Sequence, residues 1–68
     1  MDWKKQLKDN GLTITELADR MLVTRQTVYN WFDSTHKSVP DVRQVIKLSR
    51  YLGIALGKLI DYFNNKER

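Results

Sequence analysis

Apolar residues along this chain recur at spacings of three and four, the mark of a helix with one buried face, and polar breaks divide the pattern into five stretches. In residues 2–10, Trp3 and Leu7 stand one turn apart, with Asp2 as a helix-opening cap and Gly11 as the left-handed stop. Thr13 and Glu16 form a capping box, with Leu12 and Leu17 as its hydrophobic staple. Leu17, Ala18 and Met21 then make the buried stripe of a second helix, from Ile14 to near Leu22. Thr24, flanked by Val23 and Val28, opens a third helix over Arg25 to Asp33, whose core side is Val28, Trp31 and Phe32. A polar loop over 34–40 closes at Pro40. Asp41 and Gln44 repeat the capping box, and Val42, Val45, Ile46, Leu48 and Leu52 supply the apolar side of a fourth helix that Gly53 ends. The fifth helix, Leu56 to near Phe63, has an Ile54/Leu59 staple but Ala55 in the cap position, so its start should fray. Residues 64–68 read as a disordered tail, which leaves 1–63 as one all-α, five-helix bundle.

Composition narrows what such a bundle can do. At 68 residues the chain holds one domain, and a domain so short buries only about 60% of its unfolded surface. It has no cysteine and one histidine, His36, so no thiolate or histidine-pair metal site can form, and no cofactor is expected. There is no glycine-rich phosphate loop and no carboxylate pair beside a pocket-sized apolar wall. Catalysis is therefore not expected. No apolar run approaches the roughly 20 residues of a membrane span, and no signal-peptide core follows Asp2, Lys4 and Lys5. A cytoplasmic location is expected, in keeping with the missing cysteines. The net charge of +4 falls entirely within residues 34–68, because residues 1–33 sum to zero. A basic balance favours a polyanion through counterion release, but a charge this modest also suits an ordinary soluble surface.

The second and third helices, with a tight turn between them, have the sequence logic of a helix-turn-helix, Ala18 being the small residue that lets one helix cross the other closely. The stretch resembles the DNA-binding motif of the phage repressor and Cro (XRE-like) family. Counted from Ile14, that family expects aliphatic residues where Leu17, Val23 and Val28 stand, alanine at Ala18, Ser or Thr at Thr24 and an apolar residue at Trp31. Downstream, Pro40 to Ile60 is similar to the family's fourth and fifth helices, so the resemblance covers residues 11–60. Departures are Leu22 where glycine is usual, Ile14 where a phosphate-binding Gln is frequent, Phe32 in place of a frequent acidic residue, and a long loop before Pro40. A left-handed backbone at Leu22 costs about 1–2 kcal/mol. Either that strain is accepted and offset by burying the side chain, or the turn takes another form.

The resemblance implies sequence-specific binding to double-stranded DNA by a small prokaryotic or phage transcriptional regulator, with the third helix in the major groove. Base contacts fall to Arg25, Gln26, Thr27 and Asn30, with Tyr29 as an outlying contact. Phosphate contacts fall to helix N-terminal amides and to Thr15, Thr24, Thr35 and Lys37. Lys4, Lys5 and Lys8 line the wet face of the first helix, from which Lys4 or Lys5 can still reach a phosphate. One such helix reads only half a site, so a homodimer on a two-fold operator is expected, a monomer or weak dimer in solution that pairs on DNA through the fifth helix. A second class stands beside this one: a protein-interaction module such as an antitoxin or adaptor, in which Tyr62, Phe63 and any exposed part of Trp3 either form the partner surface or simply seal the core.

Overall fold

The computed structural model describes residues 2–66. They form five helices, α1 (Trp3–Asp9), α2 (Ile14–Met21), α3 (Arg25–Trp31), α4 (Val42–Leu52) and α5 (Leu56–Lys66), with no strand among the described residues. The fold is the expected all-α helix-turn-helix bundle.

Local chemistry starts most of these helices. In α2 the Thr13 hydroxyl accepts from the Glu16 amide at 3.1 Å, and the Glu16 carboxylate accepts from the Thr13 amide at 3.3 Å. The α4 box is tighter, with Asp41 and Gln44 exchanging two bonds of 2.8 Å. Asp2 accepts from the Lys5 amide and opens α1. Each arrangement satisfies a backbone donor that the helix itself leaves free.

The apolar faces meet in one core. Leu17 of α2, Val28 of α3, Leu48 and Leu52 of α4 and Leu59 of α5 are fully buried. At about 1.5–3 kcal/mol for each buried aliphatic side chain, these five hold the helices together more firmly than any cap. Beside them an aromatic cluster joins α1 to α5 through the end of α3: Trp3 stacks on Phe32 at 4.5 Å, and Phe32 meets Tyr62 and Phe63 at 6.0 and 5.6 Å.

Four details differ from the expectations. Helix α3 stops at Trp31 rather than Asp33, because its last turn tightens: the amides of Phe32 and Asp33 bond to carbonyls three residues back. Helix α5 continues through 64–66, which the sequence assigns to a disordered tail; Glu67 and Arg68, the rest of that tail, lie outside the described residues. Val42, placed by spacing on the apolar side of α4, is 76% exposed in its first turn. Leu22 does adopt the left-handed conformation, with φ 58° and ψ 40°. Its side chain is 87% exposed, so burial does not offset the strain.

No helix among the described residues is long and apolar enough to cross a membrane.

Candidate nucleic-acid interface

The α2–α3 corner is made by three residues. Leu22 reverses the chain, the Val23 amide returns to the Ala18 carbonyl at 3.0 Å, and Thr24 opens α3 by accepting from the Thr27 amide at 3.1 Å. Ala18 is buried at this crossing, where a larger side chain would push α3 away. Val28 and Trp31 then anchor α3 in the core. Helical periodicity therefore turns Arg25, Gln26 and Tyr29 to solvent, with Thr27 and Asn30 half-buried at the edges of the same face.

This face is polar and partly preorganised. The Gln26 side-chain amide donates to the Asn30 side-chain oxygen at 2.9 Å, one turn along the helix. The pairing leaves the Gln26 oxygen as an acceptor and the Asn30 amide as a donor. Those two functions are what the N6 and N7 edge of adenine requires. The Thr24 and Thr27 hydroxyls are joined at 2.9 Å, so between them they share one bond and keep one proton to give. Arg25, at the first turn, is exposed.

The remaining expected contacts are less alike. Thr15 is exposed in the first turn of α2, and Lys37 is exposed in the loop after α3. Thr35 is committed elsewhere: its hydroxyl and its amide both donate to the Asp33 carboxylate, at 2.7 and 2.9 Å. Those bonds, the hydroxyl's first, hold the Asp33 carboxyl below its ordinary value. A phosphate contact through the Thr35 hydroxyl would break that bond beside a negative charge.

Three residues join the site only in three dimensions. Tyr29 packs edge-on against Trp3 at 5.8 Å, and the Lys4 ammonium lies 5.4 Å from the centre of the Tyr29 ring. A lysine of α1 thus stands beside the outward face of α3. At the other end of α3, Lys66 donates to the Asn30, Trp31 and Ser38 carbonyls at 2.5, 2.6 and 2.8 Å. The Tyr62 hydroxyl donates to the Phe32 carbonyl at 3.0 Å. Burial pushes the Lys66 ammonium below the ordinary lysine value, against an opposing pull from Asp33. Burial first, and then Asp33, raises the Tyr62 phenol.

Away from this face, α4 and α5 leave an apolar groove open to solvent, lined by Val42, Val45, Ile46, Leu56, Ile60 and Phe63. No group of three or more His, Cys, Asp or Glu among the described residues is placed to hold a metal ion.

Comparison with known families matches one, described as "Helix-turn-helix", over residues 4–59. The match spans α1 to the buried Leu59 of α5 and so includes the whole α2–α3 corner. Comparison with curated proteins and with solved structures finds no match.

Proposed function

Because the chain belongs to the helix-turn-helix family of the phage repressor and Cro type, whose members bind DNA, we propose that it is a cytoplasmic transcriptional regulator that reads duplex DNA through α3. The observation that carries this reading is the outward face of α3. Arg25, Gln26 and Asn30 lie side by side there, the two amides already paired, on a helix anchored by Val28 and Trp31. A face built only for solubility needs none of this; base edges in a major groove call for such donors and acceptors.

In this reading Arg25 forks onto guanine, the Gln26–Asn30 pair meets adenine, and Thr27 and Tyr29 border the contact. Phosphates are held by Lys37, Thr15, the Thr24–Thr27 hydroxyl pair and Lys4. A second copy of the chain completes a two-fold site, with the α4–α5 groove as the pairing surface: Ile60 is 43% exposed there, and one α3 spans only half a site. The same groove is what a protein-interaction module would use, and the test separates the two.

The experiment is a selection from random duplex DNA, followed by titrations on the selected and a random duplex at several salt concentrations. Arg25→Ala or Gln26→Ala should cost about 1–3 kcal/mol on the selected duplex and far less on the random one. Lys37→Ala should weaken both alike and lower the salt slope by about one unit per subunit. Ile60→Asp should leave half-site binding intact while abolishing paired occupancy. If the ratio of selected to random binding were unchanged in the Arg25 and Gln26 variants, α3 would not be the reader, and salt-insensitive capture of a partner protein would take its place.

A further inference from the structure

Helix α3 has little local means of ending beyond its tightened last turn, where the Asp33 amide reaches the Asn30 carbonyl at 3.3 Å. It is seven residues long, carries no basic side chain in its last turn, and its C-cap residue Phe32 is not left-handed. The Trp31 and Phe32 carbonyls beyond that bond still need donors, and the helix end carries about half a negative charge. Two side chains of α5 supply what is missing. Lys66 covers the Asn30 and Trp31 carbonyls, Tyr62 covers that of Phe32, and the third Lys66 hydrogen ties down Ser38 in the following loop. Tyr62 and Lys66 stand one turn apart on one side of α5, and the buried Leu59 and Phe63 separate them from the groove residues Leu56 and Ile60.

We propose that Lys66 is a positioning residue for DNA recognition: with Tyr62, it holds the last turn of α3 so that Asn30 and Gln26 present their amides at the correct inclination. The inference rests on the proposed DNA reading. Asn30 is the link, because its carbonyl lies in the clamp while its side chain lies in the reading pair. An ammonium has three hydrogens to give, and Lys66 gives all three to carbonyls of this chain, so none remains for a phosphate. That separates it from a backbone-contacting lysine. Its loss should lower the preference for the selected sequence over random DNA without changing how binding responds to salt.

The test uses the full chain and its Lys66→Met, Lys66→Arg and Tyr62→Phe variants on the selected and random duplexes. Lys66→Met should reduce the preference for the selected duplex about tenfold with an unchanged salt slope. Lys66→Arg, which keeps charge and donors, should restore most of it, and Tyr62→Phe should give a smaller loss in the same direction. Equal weakening on both duplexes with a lower salt slope would make Lys66 a phosphate contact and overturn the proposal. Amide hydrogen exchange on the DNA-free chain reads the clamp separately: Lys66→Met should speed exchange in α3 while leaving α1 and α4 unchanged. Uniform acceleration, or none, would overturn the proposal even where wild-type discrimination is intact. A wild-type chain that binds both duplexes alike would remove the DNA reading itself, and this inference with it.

Discussion

The corner between α2 and α3 and the corner between α4 and α5 follow one backbone path with opposite chemistry. Each leaves its first helix through a left-handed residue, Leu22 at φ 58° and Gly53 at φ 64°. Each then turns an aliphatic residue toward the core, Val23 in one and Ile54 in the other. Each opens the next helix on the following residue, whose carbonyl accepts at 3.3 Å from an amide four residues on: Thr24 from Val28 and Ala55 from Leu59. The first corner has a poor stop and a good cap, and the second has a good stop and a poor cap. Since both make the turn, neither feature alone decides it. The aliphatic in the middle and the helices packed on either side set the path, while stop and cap set its cost. In the α2–α3 corner, that cost is left in place as an exposed leucine in a strained backbone.

The largest effect should come from giving the second corner the defect of the first. Gly53→Ala places a side chain at positive φ, which costs about 1–2 kcal/mol. The new Cβ would also lie 3.1 Å from the Asn10 amide nitrogen. That amide is pinned, donating to the Gln6 and Leu52 carbonyls at 2.8 and 3.0 Å, and so ties the end of α1 to the end of α4. Strain and a displaced tie together should cost about 2 kcal/mol, or about 10 °C in melting temperature for a domain of this size. A melt within a degree or two of wild type would mean that the corner relaxes freely, and the comparison of stops would fail.

Relieving the first corner is the converse, and smaller. Leu22 has almost no burial to lose at 87% exposure, so Leu22→Gly removes the left-handed strain against only the extra chain entropy of glycine. A gain of about 1 kcal/mol is expected in urea unfolding, with binding to the selected duplex unchanged. Had the side chain been buried, the two terms would have cancelled. A loss on Leu22→Gly would show that the leucine has a partner on its exposed side.

These corners also mark what could be read from the sequence. The capping boxes at Thr13 and Asp41, the glycine stops and the core stripes were legible, because every partner lies within four residues. The outward face of α3 was legible for the same reason: Val28 and Trp31 fix the inner side, and Gln26 and Asn30 follow from helical spacing. What escaped depends on residues far apart in the chain. The covering of the last α3 carbonyls and the extra turn of α5 both involve Lys66 and Tyr62 meeting carbonyls about thirty residues away. Lys4 is already a candidate on the wet face of α1, but its place beside Tyr29 depends on Trp3 packing against that ring. The exposure of Leu22 and Val42 reflects neighbours that periodicity does not supply. The bond from Thr35 to Asp33 is local, but spacing alone does not say which of several small donors a carboxylate will take.

The smallest effect repairs the second corner's other half. Ala55 offers no side-chain acceptor to α5, although its carbonyl already accepts from the Lys58 and Leu59 amides. A serine there could accept from the Lys58 amide as Thr24 does from Thr27. Aspartate is often as good a cap, but Asp2 lines the same recess as Ala55 and would repel a second carboxylate, a repulsion that Lys58 in the same recess offsets only in part. Ala55→Ser should therefore stabilise by about 0.5–1 kcal/mol, and Ala55→Asp by less, with the gap closing as salt screens the pair. Slower amide exchange in the first turn of α5, with α1 to α4 unaltered, would place the gain at that cap. If Ala55→Asp proved the better variant at low salt, the helix start would be governed by its own dipole rather than by the carboxylate across the recess.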